Sequence, residues 1–285
     1  YEKNEFPGGI LSLGIPDFKL EPKYIERRLD IMRKEGIVFK TNVHVGVDVS
    51  AQELQERFDA VVLCGGAEQP RDLPVEGRDL QGVYFAMEYL TQQNRENRGI
   101  RIDPKQSISA EGKRVIVLGG GDTGADCVGT ANRQGAASIK QFELLPQPPA
   151  EREADNPWPQ WALIERISSS HEEGCIREYS IMTKRLSGED GTLKKLHAVR
   201  LNFGPKDPIT GRRDMKEIPG TEFEENVDLL ILAMGFLGPV KHGMLEELYI
   251  ELDERGNVKT DENRMTSIPG VFAAGDMRRG QSLVV

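Results

Sequence analysis

The sequence predicts an α/β protein with two domains that are both built on parallel sheets. The chain has 285 residues, more than a single hydrophobic core usually needs. Two short apolar runs, residues 59–64 and 228–233, each lead into glycine, which is typical of fully buried parallel strands. A third run, residues 113–118, is followed by a glycine-rich turn and a helical pattern, so it begins a strand–helix–strand unit.

Local patterns predict the elements of the first hundred residues. Residues 22–35 read as a helix because apolar side chains recur at helical spacing after a proline and before a glycine. Residues 37–46 contain alternating β-branched side chains and predict a strand or one arm of a hairpin. Residues 50–53, Ser-Ala-Gln-Glu, match a capping box and predict the start of a short helix.

Composition and charge restrict the class of function. The chain has 37 Lys and Arg against 46 Asp and Glu, and this net charge of −9 argues against a nucleic-acid surface or an anionic membrane as partner. No apolar run approaches the roughly 20 residues that span a bilayer, and no signal peptide is recognised. The four histidines show no metal-ligand spacing, so no metal site is expected.

The cysteines indicate a reducing compartment. Cys64, Cys127 and Cys175 are far apart and form no C-x-x-C pair, which argues against a dithiol centre or an iron–sulfur ligand set within this stretch. An odd number without a framework favours the cytoplasm. We expect each cysteine to be a small buried side chain.

The glycine-rich turn matches the dinucleotide-binding pattern G-x-G-x-x-G in its required context, after an apolar strand and before a helix at residues 125–134. The first glycine permits a tight turn, the second lets the backbone approach a pyrophosphate, and the third lets helix and strand pack closely. The alternative is a turn with a structural role only. The candidate cofactor-binding residues are Gly119, Gly120, Gly121, Asp122, Thr123 and Gly124.

Glu143 lies at the end of the next predicted strand, residues 138–144, where an acidic residue commonly accepts hydrogen bonds from the adenosine ribose. A carboxylate there repels a 2′-phosphate and favours NADH. Lys140 and Arg133 are near in sequence and could instead serve NADPH. Glu143 could also be a solvated charge at the end of a strand.

The two ends of the chain suggest a second dinucleotide, a flavin. Glu2 fits the acidic residue that ends a second strand, with Gly8 and Gly9 just after it, although a frayed surface charge is the alternative. The strand at residues 271–274 leads into Gly275 and Asp276, where glycine admits a close cofactor and the carboxylate can accept a ribityl hydroxyl. A simple turn is the alternative there. Ser282 falls in residues 281–283, which predict the start of a helix facing the flavin.

The motifs together resemble the small (beta) subunit of glutamate synthase over nearly the whole chain. The glycine motifs are shared with other flavoproteins that bind two dinucleotides, whereas the middle block is specific to this family. The segments that carry the resemblance are Glu2 with residues 8–20, 119–127, 141–149, 155–161, 171–174 and 270–285.

The resemblance implies two Rossmann-like dinucleotide-binding domains of the glutathione-reductase and adrenodoxin-reductase type. Residues 1–108 and 234–285 are expected to form a discontinuous FAD-binding domain, and residues 109–233 an NAD(P)H-binding domain inserted in it. In the family, the first FAD glycine motif and a cysteine-rich cluster segment precede the part that Tyr1 begins. We therefore expect an incomplete FAD domain and no cluster ligated by this chain.

The implied activity is that of an NAD(P)H-dependent flavin oxidoreductase. In the family, a hydride passes from NAD(P)H to FAD, and electrons leave through iron–sulfur clusters to a large subunit that makes glutamate from glutamine and 2-oxoglutarate. Such a transfer needs geometry more than an acid–base group, so no catalytic residue is assigned. Alternatives are a related electron-transfer subunit, like that of dihydropyrimidine dehydrogenase or ferredoxin:NADP oxidoreductase, and a non-catalytic nucleotide-binding module.

Overall fold

A computed structural model describes residues 1–160, 162–207, 211 and 213–282. Its helices have these bounds: α1 Pro22–Lys34, α2 Ala51–Arg57, α3 Ala86–Asn97, α4 Asp122–Arg133, α5 Ser169–Glu172, α6 Met244–Glu247 and α7 Asp276–Arg279, with a π-helical turn at Ile10–Gly14. Its strands are β1 Val61–Leu63, β2 Gln69–Pro70, β3 Val83–Phe85, β4 Arg114–Leu118, β5 Ser138–Glu143, β6 Ile176–Tyr179, β7 Ile181–Glu189, β8 Thr192–Lys206, β9 Arg213–Glu217, β10 Phe223–Asn226, β11 Leu229–Leu232, β12 Phe236–Gly238 and β13 Val271–Ala273.

The chain folds into two compact units, of which the first is discontinuous. It contains Tyr1–Arg71 and Gly235–Val285, and the second contains Asp72–Met234. The later boundary lies within one residue of the sequence prediction, but the earlier one lies before β3 rather than at residue 108. The reason is that β3 joins the sheet of the second unit and α3 packs in its core. Among the described residues, no helix is long and apolar enough to cross a membrane.

The first unit packs around the parallel pair β1 and β13. Its core is formed by Leu63, Leu245, Val271 and other apolar side chains. The α2 helix begins as predicted, with the Ser50 hydroxyl accepting a hydrogen bond from the Glu53 amide at 3.0 Å. The prediction of a fully buried β1 is wrong, because Val62 is 58% exposed. Among the described residues of this unit, β1 pairs only with β13, and this two-stranded sheet leaves Val62 exposed on one face.

The strand predicted at residues 37–46 is absent, although the segment is extended and bonded. Its backbone pairs with the start of the chain, since Glu2 donates to Lys40 and Val43 donates to Glu2. Asn42 interrupts the pattern with a φ of 55°, a left-handed conformation that breaks strand pairing. The segment therefore supports the N-terminal residues without forming a regular ladder.

The second unit is an open parallel sheet with the order β3-β11-β4-β5-β6. All four residues of β11 are buried, as the uninterrupted apolar run predicts for a parallel strand covered on both faces. One face packs on α3 and α4 through side chains that include Tyr89, Val117 and Val128. This sheet carries the glycine-rich turn at the carboxyl end of β4.

An antiparallel sheet covers the other face of the parallel sheet. Its order is β10-β8-β7, and β9 pairs with the far end of β8. Strands β8 and β9 form an antiparallel hairpin, and residues 208–210 and 212 between them lie outside the described part of the chain. Leu186, Leu193 and Leu196 bury this sheet against the parallel one.

Candidate dinucleotide-binding site

The turn between β4 and α4 has the geometry that its glycines predict. Gly119 has a φ of +114°, which side-chain-bearing residues rarely adopt, and a Cβ there would collide with the carbonyl oxygen of Ala233, directly after the neighbouring strand β11. A Cβ on Gly124 would collide with the Gly119 carbonyl oxygen and come within 2.6 Å of Gln141 Nε2. Both positions therefore require glycine for packing, whatever is bound.

Gly121 is different, because no packing contact requires it. Its φ of −79° is ordinary, and a Cβ built there meets no described atom within 4 Å. The residue is the N-cap of α4 and offers no side chain to cap the first-turn amides, while Asp122 and Thr123 follow in that turn. A 12-residue helix thus presents its N-terminal N–H groups and partial positive charge beside open space, as an anion-binding turn requires.

Glu143 lies at the end of β5 and reaches back to the turn. Its Oε2 accepts a hydrogen bond from the backbone N–H of Gly120, and its Oε1 accepts one from Leu145 at 3.2 Å. The structure therefore brings Glu143 together with the glycine turn, 23 residues away in sequence. This is the position in which a carboxylate can meet a ribose beside the phosphate-binding backbone.

Gln141 holds the turn through a hydrogen bond to its backbone, and the sequence did not predict this role. It is 2% exposed, and its Nε2 donates to the Gly119 carbonyl oxygen at 2.8 Å. A glutamine at an inward position of β5, between Ile139 and Phe142, is the signal that could have identified it, since a buried amide needs a polar partner.

The two cations proposed from sequence for a 2′-phosphate are engaged in ion pairs with glutamates. Lys140 Nζ lies 2.5 Å from Glu225 Oε1, and both side chains are about a quarter exposed. Arg133 pairs with Glu173 and also donates to the Gly129 carbonyl oxygen at 3.0 Å. Neither contact was predictable from local sequence.

In the first unit, the structure places Glu2 beside Asn4. The Glu2 Oε1 accepts hydrogen bonds from the Asn4 amide at 2.9 Å and from its Nδ2 at 2.8 Å. Gly8 and Gly9 follow with φ values of +113° and +53°, and Gly9 is the N-cap of the π-helical turn. A Cβ on Gly8 would lie 2.6 Å from the Ser12 hydroxyl, whereas one on Gly9 would meet nothing within 4 Å.

Gly275 and Asp276 form a sharp junction between β13 and α7. Gly275 has a φ of +67° with nothing within 4 Å of a built Cβ, and Asp276 is the first residue of α7. Ser282 Oγ donates to Asp276 Oδ1 at 2.8 Å, so these two candidates are brought together. The predicted helix start at residues 281–283 is wrong for the first two, which are not helical, and Leu283 lies outside the described residues. The helix in this region is instead the short α7, which begins earlier, directly after Gly275.

The cysteines correct one expectation. Cys127 is fully buried in the core of the second unit, and burial raises the pKa of its thiol well above the ordinary value. Cys64 is exposed, however, and Cys175 is half-buried, so only one of the three is a fully buried side chain. All three thiols are free. The described residues contain no group of three His, Cys, Asp or Glu side chains arranged to hold a metal ion.

Comparison with curated proteins supports the resemblance seen in the motifs. The chain is 46% identical over 288 residues to the glutamate synthase [NADPH] small chain of Mycobacterium tuberculosis, covering 100% of this chain and 58% of that protein. It is also 46% identical to the glutamate synthase [NADH] of Schizosaccharomyces pombe, covering 100% of this chain and 14% of that protein. The chain thus spans little more than half of the small chain, and the resemblance to glutamate synthase small subunits is confirmed.

Comparison with solved structures and family models confirms the fold class. The structure of M. tuberculosis FprA in complex with NADPH matches with a TM-score of 0.73 at 17% identity, covering 99% of this chain and 72% of that one. The family model for the pyridine nucleotide-disulphide oxidoreductases matches residues 19–285. This chain, with its glycine turn between β4 and α4, belongs to the pyridine nucleotide-disulphide oxidoreductase family.

Proposed function

We propose that this chain is the electron-input part of a glutamate synthase, in which NAD(P)H is oxidised and FAD receives the hydride. The observation that carries the proposal is the turn at Gly119–Gly124, where packing demands the first and third glycines but only a ligand would demand the second. The 46% identity to proteins named glutamate synthase selects this reaction from those that the fold could serve.

The residues present fit a dinucleotide pyrophosphate in the second unit. The backbone of Gly121 and the N-terminus of α4 would hold the phosphates through N–H groups and helix charge. Open space at Gly121 admits them. When bound, the nicotinamide supplies a hydride and the flavin accepts it. The chain's own contribution is to bind and orient the cofactor, which agrees with the lack of an assigned acid–base residue.

The first unit fits part of an FAD site. The open space at Gly9 and Gly275 lets a cofactor approach the backbone, and the Asp276 carboxylate, oriented by Ser282, would accept a ribityl hydroxyl. Glu2, oriented by Asn4, would accept the adenosine ribose hydroxyls. The sequence motifs predict the same roles for Asp276 and Glu2.

The arrangement around Glu143 favours NADH over NADPH. The carboxylate stands at the turn, held by the Gly120 amide, and would repel a 2′-phosphate. Lys140 and Arg133 are tied to Glu225 and Glu173, so neither cation is presented to that phosphate without breaking an ion pair. One relative is named with NADPH and another with NADH, so the family does not decide the coenzyme. The proposed preference for NADH therefore rests on the residues of this site.

The proposed partner is a glutamate synthase large subunit, or the corresponding part of a longer chain. One relative is named a small chain, while in the Schizosaccharomyces pombe protein this sequence corresponds to only 14% of the length. Electrons would reach that partner through iron–sulfur clusters whose ligands we place outside this chain, since its cysteines form no cluster pattern. Three free cysteines fit a cytoplasmic setting.

Calorimetric titration of the chain with NADH and then NADPH tests the nucleotide site, with Gly121→Ala as the variant. An alanine methyl meets nothing in the fold but fills the space assigned to the phosphates, so we expect unchanged folding and at least about tenfold weaker binding. Gly204→Ala on β8, where a Cβ would lie 3.5 Å from Asp214 Cβ, is the matched control and should bind as the wild type does.

A second measurement tests the redox function. The chain is mixed with FAD, freed of excess and titrated anaerobically with reduced nucleotide, and we expect any retained flavin to bleach. Assembly of the full-length parent with its large subunit should couple nucleotide oxidation to glutamate formation. Nucleotide binding that Gly121→Ala leaves intact would refute the site, and a parent that oxidises nucleotide without making glutamate would instead favour a related electron-transfer subunit.

A further inference from the structure

Ser187, His197 and Glu224 form a hydrogen-bonded chain on the antiparallel sheet of the second unit. Ser187 Oγ lies 2.8 Å from His197 Nε2, and His197 Nδ1 lies 3.0 Å from Glu224 Oε1. The His197 side chain is 12% exposed and Ser187 is half-buried. A hydroxyl, an imidazole and a carboxylate are thus connected in the order that activates a serine nucleophile.

Strand register explains why the three side chains meet. His197 on β8 is paired with Glu224 on β10, and Ser187 on β7 is paired with Lys195, two residues from His197 on the same face. Leu186 and Leu196 occupy the opposite face and are buried, which fixes the direction of their neighbours. Register shifts at Thr183/Arg185 and Ser187/Gly188 bracket the segment, and such bulges redirect side chains.

The charges around His197 define its tautomer. Lys195 Nζ lies 2.6 Å from Glu224 Oε2, and this hydrogen bond lowers the pKa of the Glu224 carboxyl. The ionised carboxylate can only accept, so His197 donates from Nδ1 and its Nε2 lone pair accepts the Ser187 hydroxyl proton. Arg185 and Lys195 lie on the same face as Ser187 and supply positive charge beside it.

We propose that Ser187 is the nucleophile of a second site, which hydrolyses small activated carboxylic esters. Ser187 Oγ attacks the ester carbonyl carbon as its proton moves to His197 Nε2. The bond from that carbon to the leaving oxygen then breaks, and the alcohol departs with the proton from His197. Water, deprotonated by His197, next attacks the acyl-serine and releases the acid together with the restored Ser187 hydroxyl.

The surroundings specify the substrate and the part played by each residue. The site lies on a sheet surface, so an unhindered aryl ester is favoured over a large acyl chain. Developing negative charge on the carbonyl oxygen would be met by Arg185 in place of backbone amides, since Lys195 is paired with Glu224. Glu224 contacts His197 and Lys195 and would not touch the substrate, so it is a positioning residue. The inference does not rest on the dinucleotide site.

The test uses the intact chain with p-nitrophenyl acetate as substrate and a fluorophosphonate as covalent probe, followed by peptide mapping. We expect the probe on Ser187 and ester hydrolysis that Ser187→Ala abolishes. His197→Gln should lower the labelling rate on the order of 100-fold, the usual effect of losing a general base. Thr183→Ala, which removes another hydroxyl from β7, is the matched control and should leave the rate unchanged.

Variants of Glu224 test whether its carboxylate assists the reaction, because a merely structural role would not make the labelling rate depend on that charge. Glu224→Gln should slow labelling on the order of tenfold, and Glu224→Asp, which restores the carboxylate, should recover part of that loss. Far-ultraviolet circular dichroism and the urea unfolding midpoint should be equal in all these variants and report folding independently of nucleotide binding. A folded wild type that takes no label at Ser187, or takes it at a rate that His197→Gln leaves unchanged, overturns the proposal.

Discussion

Arg114 and Asp228 are joined by a bidentate contact, with Nε donating to Oδ2 at 2.8 Å and Nη2 to Oδ1 at 2.7 Å. The same Oδ2 accepts the Arg114 backbone N–H at 3.0 Å. Arg114 begins β4 and Asp228 precedes β11, so the pair connects the strand that carries the glycine turn to its neighbour. Hydrogen bonding to the Arg114 guanidinium lowers the pKa of Asp228 to about 2.

Acid should weaken the second unit through this pair. A carboxyl whose folded pKa lies below its unfolded pKa of about 3.9 stabilises the fold above that value, and loses the effect as pH falls towards 2. The contact is partly solvated, so Asp228→Asn should cost about 1 kcal/mol at pH 7. Urea unfolding of both proteins should show this difference at pH 7 and a smaller one below pH 3. Asp214→Asn, on exposed β9, is the control at pH 7, and a difference that persists at pH 2 would contradict the assignment.

Gly124→Ala should lower the free energy of unfolding even when no ligand is bound. The added methyl group would collide with the Gly119 carbonyl oxygen and crowd Gln141 Nε2, so the helix must move away from β4. Overpacking of this kind costs about 1–3 kcal/mol, which urea unfolding measures directly. Gly204→Ala serves as the control, since its methyl group has ordinary contacts. A Gly124→Ala protein as stable as the wild type would show that α4 can shift freely.

Glu143→Gln should change coenzyme preference. The amide has nearly the same size but no negative charge, so the repulsion of a 2′-phosphate is removed while contact with the turn is retained. We expect the ratio of the NADPH to the NADH dissociation constant to fall about tenfold, a difference near 1.4 kcal/mol. Calorimetry with each coenzyme provides the measurement, and Glu111→Gln, an exposed change before β4, is the control. An unaltered ratio would mean that Glu143 does not face the ribose.

Tyr89→Phe should weaken the core of the second unit by about 1 kcal/mol, the usual net value of one buried hydrogen bond. Tyr89 is fully buried and donates to Gln134 Oε1 at 2.9 Å. That oxygen also accepts from Ala110 at 2.7 Å, so it keeps one partner in the variant. Urea unfolding is again the measurement, with Tyr24→Phe on the exposed face of α1 as the control. A loss no greater than that of the control would argue that the hydroxyl contributes nothing.

The sequence by itself determined the features that depend on neighbouring residues. Helix α1 and the Ser50 cap follow from side-chain spacing and a local hydrogen bond. The turn at Gly119 follows from the backbone freedom of glycine, and β11 from an uninterrupted apolar run. Each is decided within one element or one turn, so a single stretch of sequence carries the information.

Only the tertiary structure decided the contacts between strands that are distant in sequence. Residues 37–46 follow the N-terminal residues but form no strand, because Asn42 turns the backbone away. Gln141 meets the turn only once β4 and β5 are in register. Ser187, His197 and Glu224 are likewise joined by the pairing of three strands. Such contacts depend on register, and register is set by how whole sheets bury their apolar faces, a property that no local pattern contains.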